Sequence, residues 1–284
     1  MNDASQSLDA LRREIDTVDD ALHDLLMRRA ALVADIGVLK NSEQVDVFRP
    51  AREAVLLRRL LTRNDGNLPV SAVVRIWREV IAASTLIQGG LMVAYCPIGD
   101  VVAGDRLARG RFGAGAAVVP VSTPAQVVTA VASGEASVGL VPVPRQDDKA
   151  PWWPLLYGRT GDAAIQVVAG VPFVLSGGGE ELSAFIIARG QAEPSGDDRS
   201  LVVLECGEPI SRDRVCEVLA ENGFDPAHTV SYDDPGRPGT HLHMADLAGH
   251  VALDDPRLSN VRQALPAMTV WQVGVYAAPM GENG

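Results

Sequence analysis

Residues 8–40 read LDALRREIDTVDDALHDLLMRRAALVADIGVLK, and this stretch governs the organisation of the first third of the chain. Apolar residues recur every three or four positions along it, namely at Leu8, Leu11, Ile15, Val18, Leu22, Leu25, Leu32, Val33 and Ile36. The spacing predicts one amphipathic helix, roughly 50 Å long at 1.5 Å per residue. Such a helix exceeds the diameter of a monomeric domain of about 90 residues, so we expect its apolar stripe to pack against a second subunit.

Two shorter helices are predicted next. A polar break at residues 41–44 precedes Pro50, which begins a second helix that ends near residues 64–67. Pro69 opens a third helix over residues 70–88, and Gly89 and Gly90 close it. Residues 1–90 therefore predict an all-α three-helix domain.

The hydrophobic pattern changes after Gly90. Short Val-rich runs at residues 91–95, 116–121 and 138–143 predict strands, with a helix at 123–133 and further strands at 164–169 and 185–188. A turn-rich linker at 193–198 precedes a third unit, with strands at 201–205, 228–232, 241–247 and 270–276 and helices at 212–222 and 255–265. That order, β-α-β-β-α-β, is the ferredoxin-like arrangement of an α+β domain.

Composition narrows the class of protein. The 284 residues are 47% hydrophobic and 21% charged, with a net charge of −11, which argues against nucleic acid or an anionic membrane as partner. The chain has neither a long apolar run nor a signal-peptide pattern, so we expect a cytoplasmic protein. Three widely spaced cysteines without a C-x-x-C pair indicate buried thiols, and no metal or cofactor is predicted.

Several polar residues interrupt the helical apolar stripe. Arg29 lies seven residues after Leu22, and Lys40 lies four after Ile36, where a core position would be apolar. Burying an unpaired charge costs several kcal/mol, so inward cations must meet carboxylates from the chain or from a ligand. The alternative is that both cations reach water at the bundle edge. With Arg12, Arg52, Glu53, Ser84 and Gln88 they predict a polar pocket for a small dianion.

These residues carry a resemblance to a known family. The pattern Leu11-Arg12-x-x-Ile15-Asp16-x-x-Asp19, Leu25-x-x-Arg28-Arg29, Ile36-Gly37-x-x-Lys40, Arg49-Pro50-x-Arg52-Glu53 and Ser84-x-x-x-Gln88 resembles the all-helical, type II chorismate mutases. The resemblance implies an intertwined homodimer in which Arg12 completes the other subunit's site. It also implies chorismate as substrate.

The resemblance further implies a role for each residue. Arg12 and Arg29 would hold the two carboxylates of the substrate. Arg52 would support this anion-binding part of the pocket, and Ser84 would line its carboxylate end. Lys40 and Gln88 would donate to the ether oxygen, and Glu53 would accept from the ring hydroxyl. The rearrangement is pericyclic, so it needs no metal, cofactor or nucleophile. Arg49 departs from relatives that carry aspartate at this position.

Residues 91–192 resemble a prephenate dehydratase, and residues 198–280 resemble an ACT domain. The reactive dehydratase positions differ, because Asp100, Pro144-Arg145-Gln146 and Ser183-Ala184-Phe185 replace the expected groups. We therefore expect a chorismate mutase with a catalytically inactive C-terminal region that serves structure, regulation, an amino-acid effector or an enzyme partner. The alternatives are a bifunctional mutase/dehydratase that yields phenylpyruvate, and a non-catalytic regulatory protein. His241, His243 and His250 are interpreted as structural or surface groups.

Overall fold

The computed structural model describes residues 2–43, 48–158, 164–175, 182–265 and 267–281. Side chains are described for all of these except residues 2–6, 40–43, 267 and 268. The chain forms two compact units. The first comprises Met1–Val47 and Ala83–Gly90, and the second comprises Phe48–Ala82 and Leu91–Gly284.

The first unit is dominated by helix α1, Asn2–Glu43, which is a single uninterrupted helix of 42 residues. The long helix predicted from the apolar spacing is thus confirmed, and it extends beyond both predicted ends. Its stripe is open in a single chain, since Leu11 is 54% exposed, Leu22 55% and Leu25 62%. The end of helix α3, Val70–Ile87, also belongs to this unit.

The second unit begins with helix α2, Pro50–Thr62, and includes the first part of α3. Proline lies in the first turn of α2, as predicted, where its missing N–H leaves no helical bond unmade. Ala54 and Leu57 of α2 pack against Phe173 and Val174. The predicted second and third helices are both present. The second ends at Thr62, before the predicted range of 64–67, and the third ends at Ile87, one residue before its predicted end.

A nine-stranded sheet forms the core of the second unit, in the order β2-β1-β3-β6-β4-β10-β7-β9-β8. Its strands are β1 Met92–Tyr95, β2 Ala117–Pro120, β3 Val138–Pro142, β4 Ile165–Val171, β6 Ala184–Arg189, β7 Asp198–Cys206, β8 Pro226–Asp233, β9 His241–Ala248 and β10 Ala267–Ala277. Strands β5, Val174–Leu175, and β11, Met280–Gly281, pair separately. The remaining elements are α4 Val101–Phe112, α5 Pro124–Ser133, a short 3₁₀ helix Trp153–Leu155, α6 Arg212–Glu221 and α7 Pro256–Ala264.

The predicted β-α-β-β-α-β order of the last region is confirmed by β7-α6-β8-β9-α7-β10. Its strands align as β10-β7-β9-β8, the ferredoxin-like order. Gly274 of β10 also pairs with Val167 of β4, which joins this region to the preceding strands in one sheet. A Cβ at residue 274 would lie 2.6 Å from Val167 Cβ, so glycine is required for that junction.

Helix α4 was not among the predicted elements. Its sequence, VVAGDRLARGRF, contains two glycines and two exposed valines, so it lacks the amphipathic spacing on which the prediction relied. The local signal is Asp100, whose side chain accepts a hydrogen bond from Ala103 N at 2.7 Å and caps the helix. Across the described ranges, every helix is too short or too polar to span a lipid bilayer.

Candidate active site

Arg29 and Ser84 join α1 to the end of α3. The guanidinium of Arg29 donates a hydrogen bond to Ser84 Oγ, and Ser84 is itself buried. Burial lowers the pKa of Arg29 from its usual value, since removing water disfavours the charged form. Both residues were predicted to lie at the carboxylate end of the pocket, and the structure brings them together.

Gln88 lies against α1 at Gly37. A Cβ built on Gly37 would approach Gln88 Cγ to 3.3 Å, so the absence of a side chain there permits this close packing. Gln88 Nε2 donates to the carbonyl oxygen of Ser84 at 3.2 Å. Gln88 Oε1 is buried without a hydrogen-bond partner among the residues described. The first unit therefore places Arg29, Ser84 and Gln88 at one junction of α1 and α3.

Arg12 and Lys40 occupy the two ends of α1. Arg12 is exposed and forms a surface ion pair with Asp9 at 3.3 Å. That contact is between two solvated side chains, so it contributes little stability and leaves Arg12 able to reorient. Lys40 is part of α1, but its side chain lies outside the described set, so the position of its ammonium group is not assigned.

Arg52 and Glu53 belong to the second unit. Arg52 is exposed at the start of α2. Glu53 accepts hydrogen bonds on Oε2 from Arg78 at 2.8 Å and from Arg111 at 2.5 Å. These two arginines were not singled out from the sequence. Arg111 was missed because it lies on the unpredicted helix α4. The available signal for Arg78 was a cation on the same helix as Ser84.

The residues that the sequence analysis compared with reactive dehydratase groups have structural contacts. Asp100 caps α4, and Gln146 forms two hydrogen bonds with the backbone of Ser231, at 3.2 and 2.9 Å. Ala184 is fully buried, and Phe185 packs on Tyr276 with ring centroids 5.3 Å apart. These residues therefore cap a helix, bridge two segments and pack in the core.

A cavity of about 380 Å³ lies between Gln146 and the ferredoxin-like region. Arg212, Asp213 and Asp233 line it together with His241 and His243. His243 Nδ1 is hydrogen-bonded to Ser231 Oγ at 2.8 Å, and its buried Nε2 has no partner in the described part of the chain. Burial is the main cause that lowers the pKa of His243. The cavity thus presents charges of both signs.

Comparison with known proteins assigns the helical segment. Residues 11–89 match the family chorismate mutase type II. The bifunctional chorismate mutase/prephenate dehydratase of Pseudomonas aeruginosa is 31% identical over 149 residues, covering 50% of this chain and 40% of that protein. The protein of the same name from Aquifex aeolicus is 33% identical over 142 residues, covering 49% of this chain and 39% of that protein.

The chain thus spans about two fifths of the length of the curated relatives it matches, at 40% and 39%. Among solved structures, a prephenate dehydratase from Streptococcus mutans has a TM-score of 0.47 and 17% identity, covering 67% of this chain and 99% of that chain. The match to the chorismate mutase family covers the helical segment, including the junction of α1 and α3. Over residues 11–89, the chain contains a domain of the type II chorismate mutase family.

Proposed function

We propose that this protein is a chorismate mutase that converts chorismate to prephenate. The observation that carries the proposal is the junction of Arg29, Ser84 and Gln88, which lies within the segment that matches the family. A guanidinium and a carboxamide close together suit a substrate with a carboxylate at one end and an ether oxygen nearby.

The reaction requires the protein to orient the substrate and to stabilise the charge that develops in it. The ether C–O bond breaks while a C–C bond forms in the same molecule, so no group passes to the enzyme. Arg12 and Arg29 would hold the substrate carboxylates in the folded conformer, with Arg52 in support. Lys40 and Gln88 would stabilise the negative charge that grows on the ether oxygen. Glu53 would accept from the ring hydroxyl.

The contacts of Gln88 suggest how it would favour the transition state. Its Nε2 donates to Ser84 O in the free protein, at 3.2 Å. An ether oxygen is a weak acceptor in the ground state and becomes a stronger one as negative charge builds. Transfer of the Gln88 donor from the Ser84 carbonyl to that oxygen is therefore most favourable in the transition state, which raises kcat rather than ground-state affinity.

For the C-terminal region, we propose a catalytically inactive role. Support comes from Asp100, Gln146 and Ala184, which cap, bridge and pack where a dehydratase would carry reactive groups. The cavity beside His243 suits an amino-acid effector, because Arg212 offers a partner for a carboxylate and Asp233 offers one for an ammonium group. We place the protein in the cytoplasm, as a homodimer formed through the exposed stripe of α1.

Lys40→Ala tests the proposed mutase activity, and the sequence supplies a matched control, since Lys40 and Lys149 are its two lysines. Removing a donor to the developing oxyanion should lower kcat for chorismate consumption by roughly 10²–10³-fold. Lys149→Ala, at an exposed position of the second unit, should leave kcat unchanged. Equal turnover by the two variants would contradict the assigned role of Lys40, and no turnover by the wild type would contradict the function itself.

A further inference from the structure

A second cavity lies in the second unit, and its lining includes none of the residues assigned to the mutase reaction. It has a volume of about 330 Å³ and is lined by four arginines, Arg75, Arg78, Arg106 and Arg111. The first two are on α3 and the other two are on α4. This volume is at the lower end of the range of small-molecule sites, so the cavity has room for a ligand of modest size.

The charge of this arginine cavity is not balanced by the carboxylate that contacts it. Glu53 binds both Arg78 and Arg111, and both bonds fall on the same oxygen, Oε2. The side chains of Arg78, Arg111 and Glu53 are 11%, 6% and 11% exposed, so two cations and one anion share a nearly dry environment. Burial, and then the charge of Arg111, lower the pKa of Arg78 to about 9. An added anion would relieve this excess of positive charge.

Two further observations identify hydrogen-bond donors and cations of the cavity that lack a partner among the described residues. Arg111 is 7% exposed, and its Nε–H finds no acceptor in the part of the chain that the structure describes. Over the same described residues, neither Arg75 nor Arg106 takes part in an ion pair, although both line the cavity. Exposed arginines at the rim and buried ones behind them are the arrangement expected for an anion that enters from solvent.

The rest of the wall is apolar. Val74, Leu107, Val171, Pro172, Phe173 and Val174 contribute to it. Arg78 lies over the ring of Phe173, with its guanidinium carbon 5.8 Å from the ring centroid. An inorganic anion would leave these apolar surfaces in contact with water, whereas an organic anion would cover them. The wall therefore selects a ligand with a charged head and an apolar body.

We propose that the arginine cavity binds a small organic carboxylate with an apolar ring, its carboxylate against the guanidinium groups and its ring against Phe173 and Leu107. Neither Arg12 nor Arg29 lines this cavity, although Glu53, which has a proposed role in the mutase reaction, contacts Arg78 and Arg111. The arginine cavity is separate from the cavity beside His243.

The test is calorimetric titration of the full chain with 3-phenylpropanoate, and with the neutral 3-phenylpropanol as the matched probe without a carboxylate. The carboxylate should bind with a measurable Kd and the alcohol should not. Arg106→Gln should weaken binding at least about tenfold, which is the loss of one charge-assisted contact. Arg109→Gln is the control on the same helix, because Arg109 is paired with Asp105 at 3.0 Å and should not affect binding.

Three results would overturn the proposal. Equal affinity for the alcohol would show that the cavity does not recognise a carboxylate. Binding of inorganic phosphate without binding of the phenylpropanoate would show that it does not recognise an apolar ring. Loss of binding in Arg12→Gln but not in Arg106→Gln would place the probe in the mutase site.

Discussion

Gly37 of α1 and Gln88, the residue that follows α3, pack so closely that a Cβ at residue 37 would lie 3.3 Å from Gln88 Cγ. This distance makes a glycine part of the candidate active site, because the lack of a side chain at residue 37 determines where the carboxamide of Gln88 can lie. Glycine within a helix otherwise costs about 1 kcal/mol relative to alanine. We infer that the glycine at residue 37 sets the position of Gln88.

Gly37→Ala should therefore lower kcat for chorismate while the thermal midpoint stays the same or rises. The added methyl group must displace Gln88 by a few tenths of an ångström, and misplacement of a donor costs about tenfold or more in rate. Gly110→Ala is the control, since a Cβ on Gly110 has no atom within 4 Å and Gly110 is also within a helix. Unchanged kcat in Gly37→Ala would show that the contact does not position Gln88.

Glu53 should be important for stability as well as for the proposed chemistry. Glu53→Gln keeps the shape of the side chain but leaves the buried cations Arg78 and Arg111 without an opposing charge. Breaking a buried ion pair from one side costs about 3 kcal/mol or more. Urea unfolding should show this as a lower transition midpoint.

The control for that measurement is Glu193→Gln. Glu193 pairs with Arg49 at 3.0 Å, but the two side chains are 50% and 38% exposed, so its loss should cost less than about 1 kcal/mol. Similar midpoints for the two variants would contradict the view that the buried triad is held by its single carboxylate.

The exposed stripe of α1 should hold a homodimer together. Leu22→Arg places a charge in the middle of the stripe, where burial of a charge without a partner costs several kcal/mol. By light scattering, the variant should therefore be a monomer at concentrations where the wild type is a dimer. Met27→Arg, on the opposite face of the helix, is exposed to 53% and should remain a dimer. A dimeric Leu22→Arg protein would show that the subunit interface does not include the stripe of α1.

His243 should make stability depend on pH. Burial, with the nearby His241, lowers the pKa of His243, while Asp233 acts in the opposite direction. The unfolded chain therefore binds this proton more tightly than the folded chain does. The free energy of unfolding should fall as the pH drops below about 6.5 towards the lower folded pKa.

His243→Asn should remove that part of the pH dependence, because asparagine can still meet Ser231 but does not titrate. Arg212 and Asp213 face the same cavity, and they are kept in the variant. The measurement is the difference in unfolding free energy between wild type and variant at pH 7.5 and pH 5.5, with the exposed His250→Asn as control. A difference that does not change with pH would mean that His243 is not the group that titrates.

The helical segment and the ferredoxin-like region could be predicted because each has a single strong periodic signal. The apolar stripe from Leu8 to Ile36 predicts α1. The alternation of Val-rich strands with capped helices predicts the order of elements in the last region. The join between Gly274 and Val167 could not be predicted, since it depends on contact between distant strands at one glycine. The same holds for Arg78 and Arg111, which meet Glu53 only through the tertiary fold.

The proposed function is tested most directly by the product that this chain makes from chorismate. The pure wild-type protein should be incubated with chorismate at neutral pH and its products resolved by NMR, since acid converts prephenate to phenylpyruvate without an enzyme. We expect prephenate to accumulate alone, at a rate well above the background. Phenylpyruvate formed at neutral pH would contradict the inactive C-terminal region, and chorismate that persists at its background rate would contradict the proposed function.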